Sequence, residues 1–561
     1  MVAPSRISFP VSGSPARREL VRDAAIGLLA VLFWVLVRIA LKAPIILRPW
    51  NLPQEGMSPG GILYIPEDVF SYTSWAEQGR QGHLLSRLLF TLEPHDAILF
   101  NPFFLAIGAL SRLCDISTLG ALELGGLVLG GFLVFFARRV VRTITSIPYA
   151  ADAATFALVL GTGFSGWVKA LAWGADPGMD ARPLDLFGVS ALLAFPFQTG
   201  VVAFLALGLW IIDRVLRGSS GLVWRAGLAA CIAFVTASHV YEGLMLAAAI
   251  GTVLALDVLR RRRPSRDELI VSALVFAGVL PFVALALWTT RHPVWSHLAT
   301  VTTTWSSTRR EWAIGFGWLV PSAIMGACVI GLPRARELAR QEPRNPTFVG
   351  RVTIAWCAVQ TSAVLLPGGV RNKFFSGGFL MFGILAGIGL AGLWAVSTRL
   401  ASPASRAGIR AALVLWCALL LPTSLGIIGY TFRQHPARVD NELFQAGRLL
   451  ARDGDRRQRQ LVVLCDEEDG AVIPGLAGVR VVSGNWVMTP HSRTHVEELT
   501  RLGLTPRAGA LGGQELRGAV DRVGADAVLV RRDASAFRWW TEESGYERVA
   551  EWRDRVLLLG R

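Results

Sequence analysis

Long apolar stretches fill most of this chain, and their length constrains the fold more than any other feature. About eleven of them approach the ~20 residues that a helix needs to cross a lipid bilayer. They lie near residues 22–42, 117–138, 147–167, 190–212, 224–238, 241–259, 268–289, 312–332, 352–367, 374–396 and 409–431. The sequence therefore predicts a polytopic α-helical membrane protein.

Composition and charge agree with this prediction. The chain of 561 residues is 52% hydrophobic and only 17% charged, whereas soluble domains are typically about 25% charged. Its net charge of +15 comes from arginines in alternate short loops, which is typical of cytoplasmic loops and not of a nucleic-acid-binding face. We expect an inner-membrane protein that binds no nucleic acid, with residues 1–21 in the cytoplasm and the C-terminus outside.

The predicted transmembrane domain covers residues 22–432 and includes a large external loop at 43–116. Within that loop, residues 98–113 are too short for a span and are interpreted as a helix at the membrane surface. Residues 433–561 are richer in charge and alternate short strand and helix patterns, which predicts an external α/β domain with a partly parallel sheet. It lacks a glycine-rich phosphate turn, so we assign it no nucleotide.

The first external loop contains the strongest candidate for chemistry. It reads Ile65-Pro-Glu-Asp-Val-Phe-Ser-Tyr-Thr-Ser-Trp75. On a helix that begins near Glu67, the side chains of Asp68, Tyr72 and Trp75 share one face. A carboxylate beside aromatic rings suits a sugar substrate, because the acid can accept a hydroxyl proton while the rings stack on C–H surfaces. Alternatively, both acids simply favour the N-terminal dipole of an interfacial helix.

Other candidate residues lie at external positions, and each group of them has two interpretations. The acids Asp176, Asp180 and Asp185 follow the third span, and either supply a second acid or metal ligand or are ordinary surface carboxylates. Arg371 and Lys373 lie on the side where positive charge is rare, and suit either one lipid phosphate or ordinary headgroups. His239 and Glu242 occupy a tight turn, where they line a cavity or pair with each other.

Taken in order, these residues resemble the GT-C superfamily of integral-membrane glycosyltransferases, and more closely a group of large bacterial members. The similar motifs are Glu67-Asp68-x-x-x-Tyr72-x-x-Trp75, Asn101-Pro102-Phe103-Phe104, Pro183-Leu-Asp-Leu-Phe187, His239-Val-Tyr-Glu242, His292-Pro-Val-Trp295 and Arg371-Asn-Lys373. Three departures stand out, of which the first is that Val240-Tyr-Glu242 follows His239 where Pro-Tyr-Asp is expected. Phe197 occupies a position where these members lead us to expect histidine, and Gly188-Val189 stands where Pro-Glu is expected after Asp185.

The resemblance implies an inverting glycosyltransferase that moves a sugar from a polyprenyl-phosphate donor to a lipid, glycan or protein acceptor at the outer face of the membrane. It implies catalysis by Asp68 with Glu67 beside it, and leaves open whether a divalent cation takes part. The substrate-binding residues would be Tyr72, Trp75, Asp185, His239, Glu242, Arg371 and Lys373. Two alternatives remain: a transporter or flippase of a lipid-linked saccharide, and an inactive scaffold with this fold.

Overall fold

The structure is a computed structural model that describes residues 15–46, 66–161, 196–218, 221–304, 315–339, 347–363, 374, 377–399, 402–419, 421, 441–484, 488–506 and 510–560. Six of the described helices are long and apolar enough to cross a bilayer. Four shorter apolar helices accompany them. The chain is thus a multi-pass membrane protein, as the apolar stretches predict.

The helical part runs from Pro15 to Leu419. Its helices are α1 Pro15–Ile46, α2 Pro66–Arg80, α3 Pro102–Cys114, α4 Thr118–Ile144, α5 Ala150–Leu160, α6 Pro196–Leu216, α7 Leu222–Ser238, α8 Val240–Leu259, α9 Arg266–Thr289, α10 Pro293–Thr304, α11 Leu319–Gly331, α12 Pro333–Leu338, α13 Phe348–Ala363, α14 Gly378–Ser397 and α15 Pro403–Leu419. Seven of them begin at a proline, whose fixed φ suits the first helical turn and whose missing N–H leaves no bond unmade there.

Helix α14 occupies the centre of the bundle, packed between α5 and α11. Glycines allow this close approach, which is how helices commonly pack in membranes. A Cβ at Gly387 would lie 2.2 Å from the Cα of Ala154 in α5. A Cβ at Gly389 would lie 2.4 Å from the carbonyl oxygen of Ser322 in α11. Larger residues at these positions would force the helices apart.

One end of the bundle is held by buried ion pairs. Asp23 of α1 is fully buried and accepts hydrogen bonds at 2.9 Å from both Arg138 and Arg142 near the end of α4. Arg351 near the start of α13 donates to Glu268 at 2.6 Å and also pairs with Asp257. Because a buried charge without a partner is strongly destabilising, these pairs fix how the helix ends meet. This is the end where the arginine-rich loops predict the cytoplasm.

The C-terminal region forms a small α/β unit. Its helices are α16 Asn441–Arg457, α17 Glu467–Gly470, α18 Ile473–Ala477, α19 Ser492–Arg501, α20 Gly513–Val523 and α21 Phe537–Glu542. Its strands are β1 Val462–Leu464, β2 Arg480–Val481, β3 Ala527–Arg531, β4 Glu547–Glu551 and β5 Arg555–Leu559. The sheet order is β2-β1-β3-β5-β4, parallel among the first three strands and antiparallel among the last three. The prediction of a partly parallel sheet is confirmed.

This α/β unit packs directly on the first loop. Gly475 of α18 approaches α2 so closely that a Cβ there would lie 2.7 Å from the carbonyl oxygen of Phe70. The backbone N–H of Val481 in β2 donates to the carbonyl oxygen of Leu89 at 2.9 Å. Arg480 also reaches the carbonyl oxygen of Thr91 at 3.2 Å. The described part of the first loop, from residue 66 onward, is therefore held between the bundle and the α/β unit.

Candidate functional site

Helix α2 places Tyr72 and Trp75 on one face, as the sequence predicts. Their ring centroids lie 6.3 Å apart, and Trp75 is buried. Glu67 and Asp68 belong to the first turn of this helix, but their side chains lie outside the described residues. By helical spacing, position 68 lies one turn before Tyr72 on the same face.

A cluster of five aromatic rings forms where α2, α3 and α6 meet, and we call it the aromatic cluster: Tyr72, Trp75, Phe103, Phe104 and Phe197. Phe197 near the start of α6 is its centre, with ring centroids 5.4 Å from Tyr72, 5.2 Å from Phe103 and 5.0 Å from Phe104. Four of these rings are buried against one another, and Tyr72 is the partly exposed member of the cluster.

The Asn-Pro-Phe-Phe motif has a clear structural role beside this cluster. The Asn101 side-chain oxygen accepts hydrogen bonds from the N–H groups of Phe103 and Phe104, which caps α3. The Asn101 amide nitrogen donates to the carbonyl oxygen of Ser238 at the end of α7, at 3.0 Å. One side chain thus starts the short helix and ties it to the bundle. The short helix predicted at 98–113 is observed as α3.

His239 and Glu242 lie next to the aromatic cluster. His239 separates α7 from α8 in an extended conformation, and its ring lies 5.8 Å from that of Phe197. Its Nδ1 contacts a carboxylate oxygen of Glu242. Glu242 is fully buried and also accepts a hydrogen bond from Nε2 of Gln198 at 2.7 Å. The pair therefore belongs to the same site as Tyr72.

Of the predicted site residues, the structure brings Tyr72, Trp75, His239 and Glu242 together around Phe197. Asp185, Arg371 and Lys373 lie outside the described residues, as do Asp176 and Asp180. The neighbouring Phe374 is described, and its ring lies 5.6 Å from that of Tyr241.

Two glutamines belong to this site although the sequence reasoning gave them no role. Gln198 binds Glu242, and Gln360 near the end of α13 donates from Nε2 to the carbonyl oxygen of Phe374 at 3.0 Å. Both glutamines are almost completely buried. One feature of the sequence could have indicated these two glutamines. Each is an amide side chain inside an apolar stretch, where a polar group needs a hydrogen-bond partner.

Metal ligation is not visible in the described ranges, which contain no group of three or more histidine, cysteine, aspartate or glutamate side chains arranged to hold an ion. The acids that the sequence analysis named for such a role, Glu67, Asp68 and Asp185, have side chains outside those ranges.

No model of a known protein family matches the chain, and no curated protein matches it in sequence. Solved structures do match. ArnT from Cupriavidus metallidurans bound to undecaprenyl phosphate is 12% identical with a TM-score of 0.50, over 97% of this chain and 98% of its own. The oligosaccharyltransferase of Archaeoglobus fulgidus tethered with an acceptor peptide is 12% identical with a TM-score of 0.51, over 90% of this chain and 69% of its own.

A second structure of the Archaeoglobus fulgidus enzyme, AglB in complex with an inhibitory peptide and a dolichol-phosphate, gives a TM-score of 0.52 at 11% identity, again over 90% of this chain and 69% of that one. At these identities the similarity shows the fold. The chain has the fold of the GT-C membrane glycosyltransferases, which confirms the fold class that the sequence motifs predict.

Proposed function

We propose that this protein is a membrane glycosyltransferase that moves a sugar from a polyprenyl-phosphate donor to an acceptor hydroxyl at the outer face of the membrane. The observation that carries the proposal is the meeting of the first-loop rings with the His239–Glu242 pair around Phe197. The site lies at the bundle end opposite the buried arginine pairs. An aromatic-lined site beside a buried polar group is suited to a molecule with apolar faces and hydroxyl edges.

The shared fold supports the lipid part of this proposal. Two of the similar proteins were solved with a polyprenyl-type lipid phosphate, undecaprenyl phosphate in ArnT and a dolichol-phosphate in AglB. An oligosaccharyltransferase was also solved with an acceptor peptide. When a sugar is linked to such a lipid phosphate, the sugar–phosphate bond is already activated, so transfer outside the cell needs no nucleotide.

In the proposed mechanism, the Asp68 carboxylate accepts the proton of the acceptor hydroxyl as its oxygen attacks the anomeric carbon. The bond between that carbon and the phosphate oxygen breaks, and the lipid phosphate leaves with the electron pair. Arg371 and Lys373 would stabilise the charge on the leaving phosphate. A single displacement of this kind inverts the anomeric configuration. Glu67 directly precedes the proposed base in the sequence, and the participation of a divalent cation is left open.

The aromatic cluster gives the mechanism its geometry. Tyr72 projects from the same face of α2 as position 68 and is partly exposed, so a sugar placed against its ring would have its reacting carbon within reach of that carboxylate. Asp185 is proposed to bind the acceptor or a second polar group of the donor. Holding both reactants beside the base is the main contribution that such a site can make.

The test uses the purified full chain in proteoliposomes with undecaprenyl-phosphate sugars labelled in the sugar. Transfer predicts that labelled sugar appears on an acceptor while free undecaprenyl phosphate accumulates in equal amount. Movement of intact donor between leaflets, without release of lipid phosphate, would identify a flippase and contradict the proposal. Binding of the donor with neither outcome would identify the scaffold alternative.

A further inference from the structure

Two arginines from distant parts of the sequence lie close together where the first loop meets the α/β unit. Arg87 belongs to the first loop, and Arg480 belongs to β2, which is the edge strand of the described sheet. The N–H of Val481, next to Arg480, bonds to the carbonyl oxygen of Leu89, two residues after Arg87. This backbone bond holds the two arginines at one place, which we call the loop–sheet junction.

His95 braces the loop between the two arginines and is itself neutral. Its Nε2 accepts a hydrogen bond from the N–H of Leu88 at 3.0 Å, so Nδ1 carries the proton and donates to the carbonyl oxygen of Glu93 at 2.7 Å. Burial lowers the pKa of His95, and the nearby charges of Arg480 and Arg87 lower it further. The positive charge at the junction therefore comes from the two guanidinium groups.

The guanidinium of Arg480 is oriented by uncharged groups. Its Nη2 donates to the carbonyl oxygens of Thr91 at 3.2 Å and of Glu93 at 3.5 Å, and these oxygens orient the cation without cancelling its charge. Burial lowers the pKa of Arg480, and the charge of Arg87 lowers it further, because two nearby cations repel each other. Among the residues that the structure describes, neither arginine has a carboxylate partner, and the Glu93 carboxylate lies 3.6 Å from His495 instead.

Both arginines can be reached from solution. Arg87 and Arg480 are each partly exposed, whereas the adjacent loop residues Leu88, Leu89 and Thr91 are buried. A guanidinium presents its N–H donors in a planar fork that matches the oxygens of a phosphate or a carboxylate. An oxyanion bound between the two forks would also remove the repulsion between them.

The loop–sheet junction lies toward the opposite end of α2 from the proposed base. The backbone N–H and carbonyl of Arg87 bond to the side-chain amide of Gln78, at 3.0 and 3.1 Å. Gln78 follows position 68 in the same helix at a distance of about 15 Å along its axis. The donor phosphate is bonded to the sugar carbon that is attacked, so it lies beside the base. An anion at the junction therefore belongs to the other reactant.

We propose that Arg87 and Arg480 form an oxyanion-binding site for a phosphate or carboxylate group of the acceptor. The inference rests on the proposed function and specifies its acceptor class, which is a molecule with an acidic group some distance from the hydroxyl that receives the sugar. Because one arginine comes from the first loop and the other from the α/β unit, the bound oxyanion also joins these two parts of the protein.

The experiment measures the affinity of the purified full chain in nanodiscs for glucose-6-phosphate, glucuronate and glucose by titration calorimetry at low salt. The wild type is expected to bind at least one of the two anions on the order of tenfold more tightly than glucose, since hydrogen bonds between charged groups are the stronger ones. Added salt should reduce this preference. The anion that binds more tightly identifies the acidic group as a phosphate or a carboxylate.

Three variants test the residues. Arg87→Gln keeps the backbone bonds to Gln78, so it should fold normally and lose the preference for the anion by about tenfold. Arg480→Gln should lose it as well, whereas Arg480→Lys keeps the charge and should retain part of it. Arg517→Gln is the matched control, because this arginine of the α/β unit also donates to a backbone carbonyl oxygen, that of Glu543 at 2.6 Å, and it should change nothing. All variants should bind undecaprenyl phosphate as wild type does.

The outcomes separate the oxyanion site from the proposed function. If wild type binds undecaprenyl phosphate but neither anion more tightly than glucose, the site is overturned while the transferase proposal stands. An unchanged preference in Arg87→Gln and Arg480→Gln, or an equal loss in Arg517→Gln, would also overturn the site. Weaker binding of undecaprenyl phosphate by Arg87→Gln would assign the arginines to the donor and overturn the acceptor class. Binding of the anions without any binding of undecaprenyl phosphate would overturn the proposed function and the acceptor class together.

Discussion

Phe197 joins parts of the molecule that are far apart in sequence. Its ring lies against Tyr72 from the first loop, Phe103 and Phe104 from α3, and His239 from the break between α7 and α8. The resemblance leads us to expect histidine at this position. A phenylalanine here makes the site more apolar and leaves its polar character to His239, Glu242 and the two buried glutamines.

Replacing Phe197 with alanine should lower both stability and turnover. Loss of a buried phenylalanine typically costs about 3–5 kcal/mol, and the rings of Tyr72 and His239 would lose their common contact. Phe204→Ala is the matched control, since this ring on the same helix packs against Phe234 at 4.2 Å, away from the site. Thermal unfolding and transfer assays on both variants should show loss of stability in each, but loss of turnover per folded molecule only in Phe197→Ala. Equal turnover per folded molecule in Phe197→Ala and Phe204→Ala would contradict the role given to the aromatic cluster.

At the scale of elements, the carboxyl end of β1 carries a buried acidic pair. Asp466 accepts a hydrogen bond from the N–H of Asp469 at 2.8 Å, and Arg555 binds both oxygens of Asp469 at 2.9 Å. Burial, with the adjacent charge of Asp469, raises the pKa of Asp466 to about 7. Arg531 offsets part of this effect through an ion pair at 3.2 Å.

This raised pKa predicts how the stability of the sheet depends on pH. The native state holds a proton on Asp466 at pH values where the unfolded chain has released it, so stability falls as pH rises from about 4 to about 7 and is level above that. In Asp466→Asn this contribution is absent. The stability of the variant relative to wild type should therefore increase by on the order of 1–3 kcal/mol between pH 4.5 and pH 8.

Amide hydrogen exchange of β1 and β3, corrected for the intrinsic effect of pH, measures this difference. Asp533→Asn is the control, since Asp533 also contacts Arg531 but is exposed. It should follow the wild-type pH dependence. If the stability of wild type and of Asp466→Asn changed with pH in the same way, the prediction would be contradicted.

At the scale of the whole molecule, the α/β unit supports the helix that carries the proposed base. Gly475→Val should separate α18 from α2, because even a Cβ at this position meets the Thr73 hydroxyl at 2.5 Å. Faster hydrogen exchange in α2 and reduced turnover are expected. Gly513→Ala is the control, because a Cβ there makes only ordinary contacts, the nearest at 3.5 Å. Unchanged exchange in α2 would show that the unit does not support it.

The sequence predicted helix positions well where local pattern decides them. The span predicted at 117–138 is α4 Thr118–Ile144, and the strand predicted at 527–530 is β3 Ala527–Arg531. Both follow from the period of apolar residues, which is local information. The longer α4 reflects Arg138 and Arg142, which are part of the helix because Asp23 compensates their charge. The domain boundary near 433 and the orientation of the termini stay predictions.

Less of the candidate site than of the fold could be predicted from the sequence. Tyr72 and Trp75 could be placed on one face because helical spacing is local, but their meeting with Phe197 depends on how α2, α3 and α6 pack. The roles of Gln198 and Gln360 depend on Glu242 and Phe374, which are distant in sequence. Such tertiary pairs leave no periodic signal in a single chain.

The central claim is that the carboxylate at position 68 is the base of a sugar transfer. The most direct measurement is the release of undecaprenyl phosphate from a labelled lipid-linked sugar by Asp68→Asn, compared with Asp533→Asn, which removes an exposed carboxylate of the α/β unit, as the control. We expect Asp68→Asn to lose turnover by about 10²- to 10⁴-fold while binding undecaprenyl phosphate as tightly as wild type. Wild-type turnover in Asp68→Asn would contradict the account.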